Sequence, residues 1–411
     1  MNGNKIKVLV VMVSDFGGVA FYRSIQPHEE LKKLYGDEFE VVFDKACDFE
    51  NIEKYMSYDI IHFHKGFYTK QEEFFKLLGI CRERGIKTII DVDDYWSLGS
   101  HHPSFALLKS KNHAEIVVKS LGLCDYVTTT TDLFADKIRR INENVVIFPN
   151  SIDPTDERFI IKKKECDKLR VGMVMGSTHL YDLQTMQGFV GKLSKDIIDK
   201  VVFVLCGFDT RGSVRTINKD TGLVKETPIN PKDGVWAQYE KILTENYKYV
   251  TPMYKSFLLN YIPNAEYPYA YQEGYKRRWT LPINEYFKHY EDVDVLLAPL
   301  EENLFNFVKS DLKVVECAFS DTVFIGSNYG PYSKLVNFFG PNGTINENGN
   351  AILIDKNKAH KDWSKAIEKL VKNPSYVEKL KNNLRETYKE KYDLRNITKE
   401  RRDFYKKITN R

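Results

Sequence analysis

No stretch of this chain approaches the roughly 18–20 uninterrupted apolar residues that a membrane-spanning helix needs. Its first residues lead almost at once into a strand pattern, without the apolar region and small-residue cleavage site of a signal peptide. Cysteine is sparse and unpatterned: six residues, at 47, 81, 124, 166, 206 and 317, with no CxxC spacing. Several lie in apolar runs, so they read as reduced, buried thiols of a cytoplasmic protein. Charge of one sign is also lacking, since 61 basic residues against 57 acidic ones leave a net charge of +4. That is too mild to imply a nucleic-acid partner by itself, although it leaves room for a local basic patch. Finally, the GxGxxG fingerprint is missing after the first strand. No acidic residue clearly ends the second strand where a dinucleotide ribose would need one; Asp44 lies close, but the glycine spacing fails, which disfavours a dinucleotide-dependent dehydrogenase.

What is present is a globular balance of 42% hydrophobic and 29% charged residues over 411 positions, too many for one ordinary core. Short apolar runs at 7–13, 39–43, 59–64, 87–92, 126–129 and 145–148 alternate with helical patterns such as 71–84 and 133–141. Alternation of this kind predicts parallel strands with helices on both faces. A boundary is expected near Pro149–Pro154 and the charged run 162–168. The pattern then restarts, with strands at 169–175, 201–206, 293–298, 322–325 and 351–354. The expectation is an α/β chain of two Rossmann-like domains facing a cleft, one at 1–160 and one at 161–385. A last helix at 386–411 is expected to pack back on the first domain. The interval 208–280 is too long for a simple connection and is rich in tyrosine, including Tyr239, Tyr247, Tyr249, Tyr254, Tyr261, Tyr267, Tyr269, Tyr271 and Tyr275. It reads as a largely helical insertion in the second domain, with most of its tyrosines simply packed.

Candidate chemistry collects where strands end. Gly17 and Gly18 follow the first strand and precede a helix carrying Arg23, a turn that lets backbone approach an anion. His62 and His64 alternate with apolar residues at the end of a strand, where open α/β sheets bind ligands. Asp91, Asp93 and Asp94 end the next strand and suit either the orientation of a hydroxyl or general-base work, or else the capping of a helix. Gly176, Ser177, His179 and Asp182 follow the first strand of the second half, where free backbone amides suit a diphosphate. The segment 306–316, read as one helix, places Val308, Leu312, Val315 and Phe319 on one face and Lys309, Lys313 and Glu316 on another. Two cations a turn apart suit an anion, and the carboxylate a turn further on suits a sugar diol, or else the stripe is a solvated face with a Lys313–Glu316 pair.

Together these segments resemble glycosyltransferases of the GT-B fold, especially the large retaining group that uses nucleotide-sugar donors. The resemblance rests on Gly17-Gly18, the strand ending in His62 and His64, Pro149-Asn150-Ser151-Ile152-Asp153, Leu297-Ala298-Pro299-Leu300, the lysine-bearing segment to Glu316, and residues 323–331. It covers most of the chain except 208–280. It implies transfer of a sugar from a UDP- or GDP-sugar to a hydroxyl acceptor (a glycan, a lipid-linked or a small molecule), with retention and without a metal or other cofactor. Glu316 would hold the donor ribose, while Lys309, Ser310 and Lys313 would face the diphosphate. Gly17, Gly18, Gly176, Ser177 and His179 would complete the donor site, with Arg277 supplying further charge. His64, Asp93 and Asp94 would face the transferred sugar and the acceptor. Two departures stand out. Val308 occupies the place where the common group has a glutamate, and His179 stands near where it has an arginine and a lysine. Two alternatives follow: sugar transfer to hydroxymethylated DNA bases, as in phage enzymes, with nucleic acid the less favoured partner, or a non-catalytic nucleotide-sugar-binding protein.

Overall fold

Strands rich in β-branched residues form the centre of each half of the chain. In the computed structural model, the described residues are 5–12, 17–45, 47–65, 70–102, 104–209, 213–217, 224–230, 233–244, 274–356 and 359–411. The first sheet contains β1 (Ile6–Met12), β2 (Phe39–Asp44), β3 (Ile60–His64), β4 (Lys87–Asp91), β5 (Tyr126–Thr129) and β6 (Val145–Ile147). Its order is β2-β1-β3-β4-β5-β6, and every pairing is parallel. β1 is buried at every position except Lys7, as expected of a parallel strand covered on both faces.

The second sheet is built from β7 (Leu169–Val174) and β8 (Val201–Phe208), followed later in the chain by β11 (Tyr275–Trp279), β12 (Val295–Ala298), β13 (Val323–Ser327) and β14 (Ile352–Ile354). Between β8 and β11 lies a small antiparallel hairpin, β9 (Ser213–Ile217) and β10 (Val224–Pro228). The order β11-β8-β7-β12-β13-β14 is the doubly wound Rossmann arrangement, with its switch point between β7 and β12. In the first sheet the order reverses between β1 and β3.

Contacts divide the chain into two units. Unit 1 comprises Met1–Pro154, Glu302–Val315 and Tyr388–Arg411, and unit 2 comprises Thr155–Glu301 and Glu316–Thr387. Unit 1 packs apolar side chains on each face of its sheet. Leu9, Phe63, Phe74 and Val127 lie in one cluster, and Val8, Val10, Leu31 and Tyr405 in the other. The helix Leu394–Ile408 buries Leu394, Ile397, Arg401, Tyr405 and Ile408 at helical spacing and packs on the helix Gln26–Tyr35. Unit 2 has its own core around Phe203, Leu205, Tyr239, Ile325 and Trp363. Each fully buried aliphatic or aromatic side chain of this kind contributes about 1.5–3 kcal/mol.

Within the insertion, the described residues hold the β9–β10 hairpin, the helix Val235–Leu243 and the edge strand β11. The rest of it, with Tyr247, Tyr249, Tyr254, Tyr261, Tyr267, Tyr269 and Tyr271, lies outside the described residues. One local expectation needs correction: the segment 306–316 is not one helix. A short helix, Leu304–Phe307, ends at Val308, and a second, Leu312–Phe319, begins after Asp311. Val308 has turned into the core of unit 1 and is fully buried there. Among the described residues, no helix is long and apolar enough to cross a membrane.

Candidate functional site

In unit 1, the C-terminal ends of β1, β3 and β4 carry the chemistry. Gly17 precedes a helical stretch whose first turn is α-helical (Gly18–Ala20), whose next residues form a π-helical turn (Phe21–Ile25), and which continues as Gln26–Tyr35. The wide π turn directs Arg23 inward, where it is almost fully buried. Its Nε and Nη2 donate to the two oxygens of Asp91 at 3.0 and 2.7 Å, and Nη1 donates to the Phe148 carbonyl at 2.6 Å and the Asn150 Oδ1 at 3.1 Å. Thr128 donates to Asp91 as well, at 2.6 Å. Burial alone would raise the Asp91 carboxyl. The Arg23 charge and its hydrogen bonds outweigh that and hold it below the usual carboxylate range. Asp91 is therefore a structural acid, which separates it from its neighbours Asp93 and Asp94.

Lys65 engages those neighbours. Its ammonium lies 3.2 Å from Asp93 Oδ1 and 3.7 Å from Asp94 Oδ2. Lys65 occupies the left-handed region, with φ at 61°, and its backbone N–H donates to the Asp91 carbonyl at 3.0 Å. A non-glycine residue held there is strained, and such strain collects at functional sites. Desolvation and the adjacent Asp93 push the Asp94 carboxyl up, while Lys65 and Lys309 pull it back. His64, at the end of β3, is completely buried, and burial keeps its imidazole below its ordinary pKa against the pull of Asp93 and Asp91. His64, expected to face the transferred sugar and the acceptor, thus ends β3 with its side chain covered.

Lys309 and Ser310 lie in the half-buried turn before the helix Leu312–Phe319. The Lys309 ammonium rests 5.2 Å from the centre of the Phe305 ring. The Asp311 carbonyl accepts from the amides of Val314 and Val315 at 2.8 and 3.2 Å, starting the helix, and half-buried Lys313 sits in its first turn. The stripe expected of Lys309, Lys313 and Glu316 is accordingly a turn residue followed by two helical ones.

In unit 2, the Gly176–His179 loop follows β7. Gly176, Ser177 and Thr178 are exposed. The loop is braced by Tyr239, whose hydroxyl accepts from the His179 amide at 2.8 Å and donates to the Gly176 carbonyl at 3.2 Å. Asp182 takes His179 Nδ1 on one oxygen and the Glu301 amide on the other, both at 2.8 Å. The loops after β7 and β12 are so tied across the switch point. Gly207 closes the same edge. Its φ is +97°, and a Cβ there would stand 2.4 Å from the Met175 carbonyl, so only glycine fits.

Two expected donor residues are more enclosed than the sequence implies. Glu316 is fully buried, and its Oε2 accepts from the Tyr290 hydroxyl at 2.6 Å. Arg277 is buried on β11 beneath Phe208, 4.0 Å from the ring centre, and donates through Nε to Glu240 at 2.7 Å. Its charge is thus matched by a buried acid, Glu240. Sequence reasoning missed Lys65, Tyr239 as a loop brace, and Asp311. A Ser-Asp pair before an apolar helix is a start signal and pointed to the helix break at 311. Nothing local pointed to the other two.

No protein-family profile and no curated protein matches the chain. Solved structures do, over nearly the whole length. Anabaena Alr3699/HepE in complex with UDP gives a TM-score of 0.59 at 10% identity, covering 97% of this chain and 99% of that one. An alpha-glucosyltransferase in complex with UDP and a 13-mer DNA containing a HMU base gives 0.58 at 11%, covering 99% and 100%. The catalytic domain of starch synthase IV from Arabidopsis thaliana, bound to ADP and acarbose, gives 0.56 at 9%, covering 99% and 100%. The chain has the GT-B fold. Identity this low makes the likeness one of architecture. The GT-B assignment agrees with two parallel six-stranded sheets, one per unit, the second in Rossmann order.

Proposed function

We propose that the chain is a glycosyltransferase that moves a sugar from a nucleoside diphosphate sugar to a hydroxyl acceptor, with retention at the anomeric carbon. The observation that carries this reading is the segment from Lys309 to Glu316. A lysine and a serine precede a helix start, a second lysine follows in the first turn, and a carboxylate lies further along the same helix. Helix N-termini favour anions, and two lysines add fixed positive charge. The GT-B fold, and similar structures that hold UDP or ADP, support assigning a nucleoside diphosphate to these residues.

Cleavage of the sugar–phosphate bond builds negative charge on the departing diphosphate. Lys309, Lys313 and the helix-start amides would stabilise that charge without reorganising. Ser310 would donate a hydrogen bond to a phosphate oxygen. The Gly176–His179 loop, exposed and braced by Tyr239, offers further backbone amides. Glu316 would take the ribose hydroxyls, with Tyr290 orienting its carboxylate. In unit 1, the Asp93–Asp94 pair held by Lys65 would orient the acceptor hydroxyl, and Gly17 and Gly18 would approach the transferred sugar. The test is release of nucleoside diphosphate from a panel of UDP-, ADP- and GDP-sugars. Turnover of at least one donor, lowered at least tenfold by Lys309→Ala, is expected; no turnover of any donor with any acceptor overturns the transferase reading.

A second reading is favoured by one neighbour, the alpha-glucosyltransferase solved with DNA containing a HMU base. Here the acceptor hydroxyl would belong to a modified base. Duplex binding that falls steeply with salt supports it, and absent or salt-insensitive binding removes it.

A further inference from the structure

An acid stands in the middle of the basic turn assigned to the diphosphate. Asp311 lies between Ser310 and the lysine-bearing first turn, where an ionised carboxylate facing a phosphate would repel it. The structure turns it away. Asp311 is buried, and its Oδ2 accepts from the Tyr392 hydroxyl at 2.6 Å, from the far end of the chain. Tyr392 is itself fixed. Its ring stacks on Tyr388 with centroids 4.9 Å apart and planes 7° apart, and its carbonyl accepts from the Ile152 amide at 3.1 Å. The Ile152 carbonyl then accepts from the Leu394 amide at 3.0 Å, so both sides of Tyr392 are anchored to unit 1. The Asp311 carbonyl accepts from the Val314 and Val315 amides, in the first turn of the helix. One residue thus links an anchored tyrosine through its side chain to the helix start through its backbone.

We propose that Tyr392 is a positioning residue for the donor diphosphate: through Asp311 it sets the Lys309–Ser310 turn and the helix start that follow from the reading above. The tyrosine touches no reacting atom. Its contribution is to hold a carboxylate out of the phosphate's way while fixing the backbone beside it. This rests on the transferase reading, but its first consequence concerns the protein alone.

The experiment compares wild type with Tyr392→Phe, which keeps the ring and the stack and removes only the hydroxyl. Hydrogen exchange of the Val314 and Val315 amides is measured without ligand, and binding of UDP and of uridine is measured by calorimetry. A hydrogen bond to a charged group is worth a factor of roughly 10 or more. The expected result is exchange about tenfold faster at those two amides, UDP affinity about tenfold weaker, and uridine affinity unchanged. Asp311→Asn, whose amide oxygen still accepts from Tyr392, should retain most of the UDP affinity. Unchanged exchange, or equal weakening of UDP and uridine, overturns the positioning role and leaves the transferase reading intact. Failure of wild type to bind any of UDP, ADP or GDP overturns both, even if the amide exchange responds.

Discussion

Arg23 and Asp91 form a two-point ion pair inside unit 1, with Nε to Oδ1 at 3.0 Å and Nη2 to Oδ2 at 2.7 Å. The same unit buries a second arginine, Arg401, whose partners among the described residues are neutral: the Tyr405 hydroxyl at 3.5 Å and the Phe148 ring at 4.2 Å. Arg401 Nε meets no hydrogen-bond acceptor among the described residues. The two should respond oppositely to removal of charge. Arg23→Met strands a buried carboxylate and should cost about 3–5 kcal/mol. Arg401→Met removes a buried charge without stranding one, so it should change stability by less than about 1 kcal/mol or raise it. Urea unfolding of the two variants checks the contrast.

Acid should destabilise the protein well before its carboxylates titrate. His28 and His62 are completely buried with their rings 4.6 Å apart, and desolvation holds both imidazoles well below their ordinary pKa. Their folded pKa values are depressed, so the unfolded chain binds more protons below about pH 6.5. Stability from neutral burial is complete above that pH and falls by about 1.4 kcal/mol per pH unit for each histidine below it. Unfolding free energies at pH 7.5, 6.5 and 5.5 test this. His62→Phe should lower the slope by about one histidine's worth.

Tyr239 should matter more to ligand binding than to folding. Tyr239→Phe removes the hydroxyl shared by the His179 amide and the Gly176 carbonyl. Lost hydrogen bonds of this kind cost about 1 kcal/mol of stability. The freed loop should weaken nucleoside diphosphate binding by about fivefold, roughly the same energy. Paired thermal melts and calorimetry separate the two effects.

Lys65 is strained in the left-handed region, so Lys65→Gly relieves the backbone while deleting the ammonium between Asp93 and Asp94. Lys65→Gln deletes only the charge. Donor turnover should fall about tenfold or more in both variants if the ammonium is what matters. The glycine variant should be the more stable of the two by about 1 kcal/mol. Initial rates with one active donor, together with melts, check both statements.

Much of the framework was legible because parallel strands advertise themselves as unbroken apolar runs. β1, β3, β4, β7, β8 and β12 were read within a residue or two of their observed bounds. β11 was not, because Lys276, Arg277 and Arg278 disguise an edge strand whose charges are matched elsewhere: Arg277 by Glu240, and Lys276 and Arg278 by Asp292. The candidate site was legible as residue types at strand ends but not as contacts. Arg23 meets Asp91 across 68 positions, and Asp311 meets Tyr392 across 81, distances over which pattern carries no information. Glu316 has the right spacing along its helix, yet its hydrogen bond from Tyr290, on a different element, could not be read from that spacing. The sequence showed which groups were available; tertiary packing decided which of them were already engaged.

Calorimetric titration of UDP, ADP and GDP into wild type, Lys309→Ala and Glu316→Gln shows whether the 309–316 segment holds a nucleoside diphosphate. Measurable binding of at least one of them to wild type is expected, weakened at least tenfold in each variant, with each variant's melting temperature close to wild type. Binding of equal strength in all three proteins, or no binding to any, would contradict it.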